Sequence, residues 1–137
     1  MEDLRESLPL IDYIAPNEDE AAFITNMKTP ERMADELLRY GVKNVIIKLG
    51  RRGCLLKNNE KLIELPGYRI DAIDATGAGD NFLAGFVSEI LRGNTDEDAL
   101  RFANACGAIC TTAIGAATAL KNREQVDRWI KNRPEGR

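Results

Sequence analysis

The run Val45-Ile46-Ile47-Lys48-Leu49, bounded by Asn44 and Gly50, constrains the fold more than any other segment. Consecutive β-branched residues without polar alternation read as an interior parallel strand covered on both faces. A parallel strand needs a crossover connection, usually helical, so the run demands a layered α/β arrangement. The upstream sequence supplies its parts. Ile11 to Ala15 reads as a short buried strand ended by Pro16, and Asn17 opens a helix reaching about Thr25. Thr29 as N-cap and Pro30 at the first helical position start a second helix, with Met33, Leu37 and Leu38 at helical spacing and Gly41 as its stop. The Ile11 and Val45 strands are expected to be parallel neighbours.

Downstream, Gly53 to Leu56 and Lys61 to Leu65 flank the polar turn Lys57 to Glu60, the pattern of an antiparallel hairpin at a sheet edge. From Asp80 to Arg92 the helical period returns, with Phe82, Leu83, Phe86, Val87, Ile90 and Leu91 as its expected inner face and Gly93 as a C-terminal cap. Thr95 with Asp98 resembles a capping box and opens a helix rich in Ala and Gly, whose backbone can approach its neighbours closely. A last amphipathic helix, about Asn122 to Lys131, turns Val126, Trp129 and Ile130 inward. The expected fold class is a three-layer α/β/α core with a mainly parallel sheet and an antiparallel edge hairpin.

Several function classes are disfavoured by composition. The 19 Lys and Arg against 22 Asp and Glu give a net charge of −3 with no basic stripe, which argues against nucleic-acid binding. No His is present, which removes His-based triads and leaves carboxylates and Lys as acid–base groups. Three cysteines, Cys54, Cys106 and Cys110, are too few for a disulfide framework and read as packed thiols in a reducing, cytoplasmic setting. Met1 to Pro9 carries acidic residues where a secretory signal needs a basic segment, so no export signal is expected. Phe102 to Leu120 is an uncharged run, but its Ala, Thr, Gly and Cys content predicts a buried helix and loop, not a membrane span.

The segment that points to chemistry is Asp74-Ala75-Thr76-Gly77-Ala78-Gly79-Asp80, a glycine-rich turn leading into the Phe82 helix. Unpaired N–H groups in the first helical turn and the positive end of the helix make such a junction an anion site, with phosphate the expected guest. The generic glycine fingerprints fail: Phe82 stands where a dinucleotide fold needs its third glycine, and no Gly-Lys-Ser/Thr forms a P-loop. Asp-x-Thr-Gly-Ala-Gly-Asp-x-Phe, Asp74 to Phe82, is instead similar to the signature of ribokinase-like (PfkB family) sugar kinases. Asn17-Glu18-Asp19-Glu20 resembles that family's Asn-x-x-Glu motif, and Lys48 to Gly53 its strand end and phosphate-contacting turn. The Ala103-Asn104-Ala105 and Ile114-Gly115-Ala116 stretches resemble its adenine pocket.

What the resemblance implies is specific. Asp80 would accept the proton of the acceptor hydroxyl, while backbone N–H groups from Ala78 to Asp80, left accessible by Gly77 and Gly79, would form the anion hole. Asn17, Glu20, Lys48, Gly50, Gly53, Thr76, Asn104 and Gly115 would contact ATP. Glu20 would position Mg²⁺ through water, and Asp74 would lie at a K⁺-type monovalent-cation site completed by carbonyls of the Ala113 to Thr118 loop. The implied reaction is transfer of the ATP γ-phosphoryl group to a hydroxyl of a sugar or similar small alcohol.

Each motif residue also has a plain structural reading. Asn17 and Glu20 satisfy the pattern of a capping box, Lys48 that of a strand-end charge, Asp74 that of a turn former, and Asp80 that of a favourable anion in a first helical turn. Their joint occurrence in one family's order favours the kinase reading. The family's Gly-Gly sugar motif, sugar-binding aspartate and β lid find no counterpart, so residues 1–137 correspond to the C-terminal, ATP-binding portion of a partial ribokinase-like core. Such a chain is expected to be inactive alone and to expose an apolar patch that self-association, as a homo-oligomer, would hide. A non-catalytic nucleotide-binding or regulatory module and an inactive truncated fragment are the alternative readings.

Overall fold

The computed structural model describes residues 2–133, which divide into two compact units, Met1–Gly50 with Cys54–Glu64, and Arg51–Gly53 with Leu65–Arg137. A short helix, α1 (Glu2–Arg5), opens the first unit, followed by β1 (Tyr13–Ile14), α2 (Glu18–Thr25), α3 (Pro30–Arg39), β2 (Asn44–Lys48), β3 (Cys54–Asn58) and β4 (Leu62–Leu65). The sheet order is β1-β2-β3-β4. The α/β class holds, and the sheet in this chain is mixed. β1 runs parallel to β2 with Tyr13 opposite Asn44 and Ile14 opposite Val45, whereas β3 lies antiparallel along all of β2, from Asn44–Asn58 to Lys48–Cys54.

Val45, Ile46 and Ile47 are all fully buried, as a strand covered on both faces requires. Val45 and Ile47 pack with Ala21 of α2 and with Met33, Ala34 and Leu37 of α3. Each such side chain removed from water contributes about 1.5–3 kcal/mol, so this cluster fixes the α2–α3 crossover onto the sheet. β3 runs to Asn58 because that side chain closes the turn itself: its Oδ1 accepts the Glu60 and Lys61 amides, both at 2.9 Å. The expected turn therefore shifts towards β4. At α3, Thr29 makes no side-chain cap bond, and Pro30 marks the start.

The second unit contains α4 (Ala78–Leu91), α5 (Asp96–Cys110) and α6 (Arg123–Asn132). Thr95 accepts the Asp98 amide at 3.2 Å, one half of the expected capping box, and Asn122 accepts the Gln125 amide at 2.9 Å, so α5 and α6 both start on a side-chain cap. The inner face of α4 differs from expectation. Phe82, Gly85, Phe86 and Glu89 are buried, while Leu83, Val87 and Leu91 are exposed. Small residues decide this, because a Cβ on Gly85 would meet Cys106 Sγ at 2.8 Å and Ala103 Cα at 3.4 Å. α5 seats itself where α4 has no side chain. Leu83, Val87 and Leu91, four residues apart, lie exposed along one side of α4.

Glu89 is 3% exposed and is satisfied on both oxygens, pairing with Arg123 of α6 and accepting from Asn94 Nδ2 at 2.5 Å. The Arg123 hydrogen bond is the main cause holding its carboxyl below the usual range. Tyr68, Phe102, Ala105, Cys106, Ile109 and Val126 form a separate cluster, with Trp129 and Ile130 packed on it. Cys54, Cys106 and Cys110 are buried thiols in no disulfide. Among the described residues no helix is long and apolar enough to cross a membrane.

Candidate active site

In the first unit, Pro16 ends β1 and its carbonyl accepts the Lys48 amide at 3.0 Å, while Asn17 and Lys48 form a parallel bridge beyond the two strands. Asn17, Glu20 and Lys48 thus gather at the carboxyl ends of the parallel pair, the end of an α/β sheet where ligands bind. Asn17 Oδ1 accepts the Glu20 amide and Glu20 Oε2 accepts the Asn17 amide, each at 2.8 Å. The capping box is therefore real, and it leaves Asn17 Nδ2 and Glu20 Oε1 outside the box. Both residues are exposed. Among the described residues the Lys48 ammonium has no ion-pair partner. Gly50 follows with φ 58° and opens a single 3₁₀ turn.

In the second unit, Gly53 has φ 101°, and a Cβ there would lie 1.9 Å from the Leu65 carbonyl oxygen. Opposite it, a Cβ on Gly67 would lie 2.0 Å from the Arg51 carbonyl oxygen. Two backbone segments therefore touch without side chains between them. Asn104, 8% exposed, donates to the Pro66 carbonyl at 3.0 Å and ties α5 to this crossing.

Gly77 is the N-cap of α4 with φ 76°, and a Cβ there would sit 2.4 Å from Ala116 Cβ. The Ala78 amide donates to the Ala75 carbonyl at 3.1 Å and the Asn81 amide to the Gly77 carbonyl at 3.0 Å. Between them, the Gly79 and Asp80 amides have no acceptor among the described residues, as the first turn of a helix dictates. The exposed Asp80 carboxylate stands at the same helix end. Two unsatisfied donors and one carboxylate therefore share the positive end of a fourteen-residue helix.

The loop is held against residues 111–116 by polar contacts. Asp74 Oδ1 accepts the Thr76 amide at 2.9 Å and the Thr76 hydroxyl at 2.6 Å, and its Oδ2 accepts the Gly115 amide at 3.0 Å. The Thr76 hydroxyl first, then the Gly115 and Thr76 amides, hold the Asp74 carboxyl down at about 2. The Ile73 and Asp74 amides donate to the Thr111 carbonyl at 2.8 and 3.2 Å. Asn81 Nδ2 donates to the Gly77 carbonyl at 2.9 Å and the Ala116 carbonyl at 2.8 Å, with Cys110 Sγ a weaker acceptor at 3.2 Å. The Cys110 thiol lies 3.4 Å from the Thr76 and Ala116 carbonyls.

The structure thus brings Asp74, Thr76, Gly77, Ala78, Gly79, Asp80 and Gly115 together in one unit, and Asn17, Glu20, Lys48 and Gly50 together in the other. Gly53 and Asn104 sit at the backbone crossing. Sequence reasoning missed Asn81 and the polar role of Cys110. Their signal was slight: an Asn inside a helix, where its amide gains by bonding a carbonyl four residues back.

The chain is similar to known proteins over most of its length. The chain is 33% identical over 132 residues to ribokinase from Haemophilus influenzae, covering 93% of this chain and 43% of that protein. Ribokinase from Thermotoga maritima superposes with a TM-score of 0.89 at 36% identity, over 93% of this chain and 45% of that one. Arabidopsis thaliana ribokinase, solved with ribose and ATP, gives a TM-score of 0.85 at 34% identity, over 93% and 43%. The chain spans less than half the length of these relatives. With the pfkB family carbohydrate kinase pattern matching residues 1–123, around a glycine loop that ends in Asp80 at an open helix terminus, the chain belongs to that family.

Proposed function

We propose that this chain is the C-terminal, ATP-binding portion of a sugar kinase that moves the ATP γ-phosphoryl group to a sugar hydroxyl. The observation that carries the reading is the start of α4, where the unsatisfied Gly79 and Asp80 amides adjoin the Asp80 carboxylate. Phosphoryl transfer passes through a loose transition state with charge on the equatorial oxygens, and fixed amides placed where charge accumulates are the main catalytic resource. Asp80 is the residue to take the acceptor's proton, late in the step. Gly77 must stay side-chain-free because Ala116 occupies the space. Lys48, with no counter-ion among the described residues, suits a phosphate, and Asn17 Nδ2 is left to donate. Thr76, Asn104, Gly50, Gly53 and Gly115 frame the nucleotide.

Glu20 Oε1, outside the capping box, is the carboxylate oxygen that would hold Mg²⁺ through water. Bound Mg²⁺ supplies charge neutralisation on the phosphates. A monovalent cation at Asp74 would share that carboxylate with Thr76 and Gly115. Three buried thiols in no disulfide support the cytoplasmic assignment, and the exposed Leu83–Val87–Leu91 stripe supports self-association. A nucleotide-binding module that transfers nothing is the second reading, since the Gly79 and Asp80 amides would serve phosphate binding alone.

Calorimetric titration of the chain with Mg·ATP, followed by an ADP-release assay over a panel of sugars, tests this. Binding with sugar-dependent ADP release is the expected outcome for the chain joined to a family N-terminal portion. Binding without release in that joined protein would leave the module reading, and no binding at all would refute both.

A further inference from the structure

We infer that Asn81 is a positioning residue for phosphate recognition: its side-chain amide clamps the start of α4 to the 111–116 loop and thereby sets where the Gly79 and Asp80 amides point. This rests on the nucleotide reading above. The Gly77 carbonyl receives two donors from one residue, the Asn81 backbone amide at 3.0 Å and Nδ2 at 2.9 Å. The second hydrogen of Nδ2 goes to the Ala116 carbonyl at 2.8 Å. Two carbonyl dipoles that would otherwise repel are thus joined through one NH₂ group. The join lies beside the Gly77–Ala116 contact, where a single added methyl would not fit.

The consequence for the amides is geometric. Gly77 is the N-cap, and its peptide orientation sets the plane of the first turn, which contains both unsatisfied donors. Asp74 fixes the loop ahead of Gly77 through Thr76 and Gly115, but it makes no bond to the helix itself. Cys110 reaches the Ala116 carbonyl only at 3.4 Å, with a weak sulfur donor. Asn81 is therefore the strong side-chain link between the helix start and the loop. Without its NH₂, the Gly77 and Ala116 carbonyls lose their shared donor and the first turn is free to tilt.

The test compares Mg·ATP with AMP on the full chain carrying Asn81→Ala or Asn81→Leu, the latter keeping the bulk and removing the donor without adding a charge. A positioning role predicts Mg·ATP affinity weakened by about tenfold or more, the worth of one well-made hydrogen bond, while AMP affinity shifts by less than about threefold. Circular dichroism melts check that both variants fold. Wild-type Mg·ATP affinity in both folded variants would overturn the inference and leave the nucleotide reading standing. Equal weakening of ATP and AMP would also overturn it, because a general loss of structure moves both. A wild-type chain that binds neither ligand would remove the nucleotide reading, and this inference with it.

Discussion

The carboxyl end of the β1–β2 pair and the start of α4 both present groups suited to phosphate, yet different physics holds each in place. At the strand end, Asn17 and Lys48 extend a backbone ladder whose strand is anchored by fully buried Val45, Ile46 and Ile47, and α2 opens there with a local capping box. At the α4 start, the Asp74–Asp80 loop is shaped by polar contacts to residues far away in sequence, and most of its length is at least partly exposed. The first region is an output of apolar burial and can change little without unfolding. The second is adjustable in small steps, which suits a loop that must meet a reacting phosphate.

Four experiments press on that contrast. The largest effect belongs to Asp80→Asn in a sugar-phosphorylating form of the protein: phosphoryl transfer should fall by at least about 10²-fold, as for loss of a positioned base, with ATP affinity nearly unchanged. A near wild-type kcat would reduce Asp80 to a helix-end charge. Next, Glu89→Ala should destabilise the fold by about 3 kcal/mol in urea denaturation, because Arg123 would lose its buried partner. A loss below about 1 kcal/mol would show that the second unit draws its stability from apolar packing alone.

A smaller change is expected from Asn17→Ala, which removes half of the capping box and should cost about 1 kcal/mol in thermal melts. The smallest concerns Asp74. Its carboxyl is held down at about 2, so its bonds to Thr76 and Gly115 are complete above the ordinary Asp range near pH ~3.9 and weaken only as pH falls from there towards 2. The Gly115 amide resonance should move in that window. A shift centred at the ordinary Asp value would mean the loop contact is loose.

Legibility followed the same division. The α2 cap was readable because Asn17 and Glu20 are three residues apart, and β2 because burial on both faces leaves an unbroken apolar run. The α4 inner face was misread: Leu83, Val87 and Leu91 carry the apolar weight in the sequence, but Gly85 decides where α5 can approach. Periodicity counts side chains and overlooks the packing value of a missing one. The Asn81 clamp was invisible for another reason. Its partners Cys110 and Ala116 lie 29 and 35 residues away, and Asp74 meets Gly115 across 41, in loops that have no period to read.

The buried thiols have a use beyond packing. Cys54 sits in the first unit, Cys106 and Cys110 in the second. Burial pushes Cys106 up to about 12 and raises Cys110 as well, so at neutral pH a thiol-labelling reagent finds neither thiolate nor access in the native state. Modification must wait for an opening event. Mass-resolved labelling over time would therefore give each unit its own clock, with Cys54 timing the sheet and Cys106 and Cys110 timing the helices that carry the phosphate loop.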